Sequence, residues 1–169
     1  EPDDYHQIIY QTSDFNGLLA QHTDDNLSPD NLRTQIKQYL RYGNVRNIFV
    51  FNYLDYLLWK RYQNEIKDFS FTFKSSVEHV YPQHPKDGQK ELPSEILNSF
   101  GNLCLISASK NSALSNYQPI AKKEHYSNTS YDSLKQKLMM QKADSWNEDE
   151  IKVHQEDMIN ILIEDLKSY

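Results

Sequence analysis

Cysteine is nearly absent from this 169-residue chain: Cys104 stands alone, which excludes any internal disulfide and any zinc site built on several thiolates. Long apolar runs are missing as well. No stretch approaches the roughly 20 residues that a bilayer span needs, so no membrane association is expected. The opening Glu1-Pro2-Asp3-Asp4 has no Met, no basic stretch and no apolar signal region, and reads as a cut inside a longer polypeptide. Neither an internal repeat nor a low-complexity tract is visible. A surplus of positive charge is lacking too, and a formal net charge of −6 argues against a protein that grips nucleic acid with its whole surface. The scarcity of thiols fits a reducing, cytoplasmic setting. Cys104 itself lies in the run Leu103-Cys104-Leu105-Ile106 and reads as a small buried hydrophobe.

What is present describes an ordinary globular chain. Hydrophobic residues make up 38% and charged residues 25%, and twelve Tyr with seven Phe are more aromatic rings than a disordered chain carries. The length suits one domain with its own core, or one domain with a helical extension. Charge is spread unevenly. Residues 1–78 carry 8 Lys/Arg against 11 Asp/Glu (−3), residues 79–123 carry 5 against 3 (+2), and residues 124–169 carry 5 against 10 (−5). Only the middle third is basic.

Helix signals flank that middle. Ser28-Pro29 offers an N-cap and a proline at the first helical position, Leu32, Ile36 and Leu40 recur four apart, and Gly43 supplies a stop. A second helix is predicted over about Val45–Ile66, with Val50, Leu54, Leu57 and Leu58 on a broad apolar face and Lys60-Arg61 near its end. An earlier helix is predicted around Tyr5–Leu19. Phe69-Ser70-Phe71-Thr72-Phe73 alternates strictly and predicts a strand. A short extended piece follows at Val77–Tyr81, and residues 82–93, with three Pro and one Gly, form a loop. Leu103–Ile106 is the next strand, followed by a short helix from about Asn111. Helical composition returns over Tyr131–Met140, and Asn147 can cap a last helix carrying Ile151, Met158, Leu162 and Leu166. The fold class expected is α+β and mostly α.

Three short pieces carry the chemistry: Val77-Glu78-His79-Val80-Tyr81-Pro82-Gln83, Phe100-Gly101-Asn102-Leu103-Cys104-Leu105, and Lys110-Asn111-Ser112-Ala113-Leu114-Ser115-Asn116. Neighbours on a strand point to opposite faces, so Glu78 can reach a cation on one side while His79 meets a water on the other. Phosphodiester hydrolysis uses such a pair: a divalent cation on the phosphate and the leaving 3′ oxygen, and a base of near-neutral pKa for the attacking water. Carboxylate and amide oxygens suit Mg²⁺, and Asn111 has an amide oxygen to offer. Each residue alone has a plainer reading. Glu78 is then a solvated acid, His79 a structural histidine, Gly101-Asn102 a turn pair, Asn111 a helix N-cap, and Lys122-Lys123 a solvated pair.

In order and spacing, E-H-x-x-P-Q, G-N-L-x-L, K-N-S-x-L-S-N and a later K-K resemble the HNH domain at the C terminus of GmrSD-type modification-dependent restriction enzymes. The step from Asn102 to Asn111 also resembles the HNH domain of RNA-guided nucleases, which have Asp-His where Glu78-His79 stands. The resemblance implies a ββα-metal core at 68–126 between helical flanks at 1–67 and 127–169, all in one compact domain. It implies metal ligation by Glu78 and Asn111, His79 as general base, and Asn102 orienting the His-bearing strand or the imidazole. Lys110, Lys122 and Lys123 would contact DNA, and the cation would be Mg²⁺, with Mn²⁺ as a substitute. Its implied partners are DNA and an N-terminal, nucleotide-hydrolysing ParB-like domain, in bacterial defence against foreign or modified DNA. Trp146 and Ile151 stand where the family has a Trp and an Ile, but His154 stands nearest the place where many relatives have an Arg, which leaves this helix without that cation. His6, His22, His84, His125 and His154 receive no role. The rival readings are an HNH-like module that binds DNA or protein without cutting, and a helical regulatory domain suggested by the acidic flanks.

Overall fold

The computed structural model describes residues 29–45, 48–64, 66, 69–71, 74–114 and 116–166; the helix predicted around Tyr5–Leu19 and the cap Ser28 lie outside them. The described residues form seven α-helices, two 3₁₀ turns and one pair of strands. The α+β, mostly α class expected from sequence is the one observed.

Helix α1 (Pro29–Tyr39) begins at the predicted proline, and Leu32, Ile36 and Leu40 are all buried, as their spacing requires. Gly43, at φ +86°, turns the chain where a side chain would be strained. Helix α2 (Phe49–Tyr62) is shorter than the predicted Val45–Ile66, because Asn44 and Val45 both donate to the Arg41 carbonyl and belong to the preceding turn. It is buried around most of its circumference, and its Lys60-Arg61 end matches the helix dipole.

The strand predicted over Phe69–Phe73 is corrected over its described part: residues 69–71 run in irregular chain, and Thr72 and Phe73 lie outside the described residues. The alternation there serves a different purpose. Phe69 packs against the core, and Phe71, itself exposed, meets Phe69 edge-on at 5.1 Å and Trp59 of α2 at 6.5 Å. A period of two distinguishes an extended segment but does not supply a strand to pair with it.

Strand β1 (Ser76–His79) pairs antiparallel with β2 (Leu103–Ile106), in the register Ser76↔Ile106, Val77↔Leu105, Glu78↔Cys104, His79↔Leu103. Between them come the proline loop, a single helical turn α3 (Ser94–Leu97) and the 3₁₀ turn Phe100–Asn102. Helices α4 (Ala108–Leu114), α5 (Pro119–Ser127) and α6 (Leu134–Gln141) follow. Helix α4 starts before Asn111, which places Asn111 inside the helix and removes its N-cap reading. Ser133 caps α6 by accepting from the Gln136 N–H at 2.9 Å. Asn147 caps the last helix, α7 (Glu148–Leu166), with Oδ1 accepting from Asp149 N at 2.9 Å and Glu150 N at 3.3 Å.

All four residues of β2 are buried because apolar clusters lie on both of its faces. Leu103 and Leu105 join α1, α2 and the later part of α7, while Cys104 and Ile106 join Val80, Tyr126, Met139, Trp146 and Ile151. Gly101 is fixed by contact rather than by turn geometry: a Cβ there would run into the Ile151 carbonyl and lie 2.9 Å from Gln155 Cβ. The C-terminal helix therefore rests its backbone directly on the 3₁₀ turn that leads into β2.

Candidate active site

The pleat of β1 sends Ser76 and Glu78 to one face and Val77 and His79 to the other. On the first face, α4 and α5 close over the strand. Asn111 Nδ2 donates to Ser76 Oγ, so α4 is pinned two residues from Glu78 on the same side. Lys122, from α5, donates through Nζ to Glu78 Oε1 and to the His79 carbonyl, the latter at 2.7 Å. Both members of this ion pair are buried. Burial pushes the Glu78 carboxyl above its ordinary range, and the Lys122 charge works against that rise.

On the second face, His79 is buried beside Asn98 and Tyr42. Its Nε2 lies 2.9 Å from Asn98 Oδ1, and the Tyr42 ring meets the imidazole edge-on at 4.5 Å. Burial lowers the pKa of His79, the Asn98 hydrogen bond opposes this, and the nearby Lys122 charge adds to the lowering. The imidazole is therefore biased toward its neutral form, the form that accepts a proton.

Asn102 is fully buried at the entry to β2. Its Oδ1 accepts from Tyr81 N at 2.8 Å and Trp146 Nε1 at 3.2 Å, and its Nδ2 donates to the Tyr81 carbonyl at 3.1 Å and the Leu97 carbonyl at 2.9 Å. The side-chain amide thus pairs with Tyr81 as a backbone amide would, prolonging the ladder where β1 ends. Of the two orienting roles open to Asn102, these bonds serve the strand.

The remaining lysines are engaged within the protein. Lys110 Nζ donates to the Ser130 carbonyl at 2.7 Å and Asp132 Oδ1 at 2.8 Å, and Lys123 Nζ donates to Asp144 Oδ2 at 2.7 Å. Lys122 stands on Glu78 rather than at the surface. His154 is buried against Trp146, with ring centroids 5.5 Å apart, and burial holds its pKa well below the usual value. It stands among core residues, not at the surface. The structure thus brings Glu78, Asn111 and Lys122 to one face of β1, sets His79 on the other, and uses Asn102 to hold the strand end.

Asn98 and Tyr42 escaped the sequence reading. Asn98 belongs to no motif, and Tyr42 comes from the turn after α1, so only the folded chain brings them to His79. The one local hint was the i, i+4 pair Ser94–Asn98, whose side chains bond at 3.1 Å.

Among the described residues no group of three or more His, Cys, Asp or Glu could hold a metal. No closed cage of these ligands is seen among the described residues, but Mg²⁺ does not require one. It commonly takes one or two protein oxygens and completes its shell with water and substrate phosphate. The Glu78 carboxylate, with Lys122 engaged at Oε1, and the Asn111 amide, with Nδ2 turned to Ser76, supply side-chain oxygens on this face that could take such a role.

A strand pair followed by a helix, with an acid–histidine pair on the first strand and an asparagine on the helix, is the order of elements in which the three motif pieces are arranged. The chain belongs to the family of C-terminal domains of GmrSD restriction endonucleases, whose model matches residues 21–161. It is thereby a restriction-endonuclease-related domain. Neither a curated protein nor a solved structure matches the chain.

Proposed function

We propose that this domain is a metal-dependent endonuclease that hydrolyses DNA phosphodiester bonds, in bacterial defence against foreign or modified DNA. In that role it works beside a nucleotide-hydrolysing ParB-like domain of the same protein. The observation that carries the reading is the division of β1: a buried carboxylate on one face, with Asn111 pinned alongside, and a buried imidazole biased to neutrality on the other. Among the described residues β1 has one strand partner, β2, so its other edge has no strand beside it. In this reading the phosphate lies along that edge. Held by Glu78 and Asn111, Mg²⁺ would neutralise the phosphate and stabilise the leaving 3′ oxygen. His79 takes the proton of the attacking water as the new P–O bond forms and the P–O3′ bond breaks. Lys122 keeps the Glu78 carboxylate ionised and oriented, and Asn102 fixes the end of the strand that carries both.

The test is plasmid cleavage in Mg²⁺ or Mn²⁺, with and without EDTA, alongside calorimetric Mn²⁺ titration. His79→Ala should lower the rate by about two to four orders of magnitude, the usual contribution of a positioned base, while Mn²⁺ still binds. Glu78→Gln should lose both cleavage and the binding heat. Cutting that persists in EDTA, or a His79→Ala protein as fast as the parent, would refute the assignment. DNA retained but never cut under any of these conditions would instead define a binding module.

A further inference from the structure

We infer that Asn98 is the positioning residue of His79, and that the turn after α1 holds Asn98 in that task. An amide oxygen has no proton to give, so in the 2.9 Å contact with Asn98 Oδ1 it is His79 Nε2 that carries the hydrogen. The neutral ring is thereby fixed as the Nε2–H tautomer, and the lone pair that can receive a proton sits on Nδ1. The inference rests on the nuclease reading for its catalytic consequence. The hydrogen bond itself does not depend on that reading.

Asn98 is held on every side. Its Nδ2 donates to Ser94 Oγ at 3.1 Å, and its N–H donates to the Ser94 carbonyl at 3.1 Å. Its own carbonyl accepts from Tyr42 N at 2.9 Å. Ser94 is gripped from the same turn, with Arg41 Nη2 donating to Ser94 Oγ at 3.2 Å and to its carbonyl at 3.4 Å. Tyr42 then lays its ring edge-on against the imidazole at 4.5 Å. Two consecutive residues, Arg41 and Tyr42, thus secure both the partner of the imidazole and one side of the ring. A histidine serving as base loses rate if its ring rotates, because the lone pair must meet the water at hydrogen-bonding distance. The helical flank before the strands is in this way part of the site.

The test reads the ring directly, by ¹⁵N–¹H NMR on the metal-free protein, together with steady-state cleavage. In the parent, His79 should show a proton-bearing Nε2 with slow solvent exchange and an unprotonated Nδ1. Asn98→Ala should abolish the slowly exchanging Nε2 proton and lower kcat by about 10- to 100-fold with KM little changed, the size of effect found for the partners that orient metal-bound histidines. Asn98→Asp, which keeps an oxygen in place, should retain the slowly exchanging signal. Ser94→Ala, which loosens Asn98 without removing the acceptor, should shorten its exchange lifetime. A proton found on Nδ1 in the parent would overturn the proposal without any variant, and so would an Asn98→Ala protein with unchanged exchange and kcat. If the parent shows the Nε2 proton but never cuts DNA, the nuclease reading fails while the hydrogen bond stands.

Discussion

Lys122→Met should be among the most damaging substitutions in this chain, although it deletes a residue type usually found in solvent. The Lys122 side chain is 1% exposed and that of Glu78 6%, so the methionine would leave a carboxylate in a buried site with no opposing charge. Removing one member of a buried pair costs about 3–5 kcal/mol, against roughly 0–1 kcal/mol for an exposed one. At this chain length, that corresponds to a fall in Tm of about 6–20 °C. The loss should depend on pH. Burial already holds the Glu78 carboxyl above 4.5, and removing Lys122 raises it further. An acid whose folded pKa is raised binds its proton more tightly folded than unfolded, so its contribution is most favourable below pH 4.5 and is lost as pH rises through the folded value. The deficit of Lys122→Met should therefore be larger at pH 8 than at pH 5. Glu78→Gln combined with Lys122→Met should recover most of it, since no charge is then stranded. Urea denaturation in EDTA measures all three proteins, the chelator preventing a divalent ion from replacing the ammonium. A loss below about 1 kcal/mol with no pH dependence would mean that Lys122 lies in solvent, and would return it to the role of a phosphate contact.

Two further outcomes follow from the packing. Gly101→Ala should destabilise the protein by about 1–3 kcal/mol or more, because the added methyl meets the Ile151 backbone rather than a movable side chain; thermal unfolding equal to the parent would refute that contact. Burial raises Asp55 from 3.8 to about 6, with Lys74 opposing, so the folded state holds a proton that the unfolded chain releases between those values. Its stabilising contribution should decline as pH rises from about 4 to 6. Asp55→Asn, which keeps an oxygen to accept the Lys135 N–H, should flatten that slope, and an unchanged slope in denaturation curves would place the titration elsewhere.

The parts of this fold that were legible in the sequence are those specified by near neighbours. Leu32, Ile36 and Leu40 recur at helical spacing and are buried together, Asn147 caps the helix it precedes, and Cys104 is a buried thiol. The three motif pieces led to the family through their order and spacing. The Phe69–Phe73 alternation misled because local pattern reports which side chains share a face, not whether a partner strand arrives. The site was visible as a set of residues but not as an arrangement. Lys122 looked like a surface cation until the chain brought it across 44 positions onto Glu78, and Asn98 carried no signal until it met His79 19 positions away. Such pairings are made by topology, and no periodicity records them.

The contact between Gly101 and the Ile151 carbonyl also sets an order in time. The strands are complete in the chain by Ile106, yet the turn that feeds β2 is braced by a helix that begins only at Glu148. On the ribosome the strands emerge after α1 and α2, on which Leu103 and Leu105 pack, but the turn that feeds β2 still lacks its brace, and a two-stranded ribbon is marginal in water. The loop that joins the two must close before the brace is felt, which makes this a late, non-local step of folding. A nascent chain therefore holds the whole acid–histidine motif well before it holds a rigid one, and the turn that feeds β2 is braced only when the last of the described helices has been made.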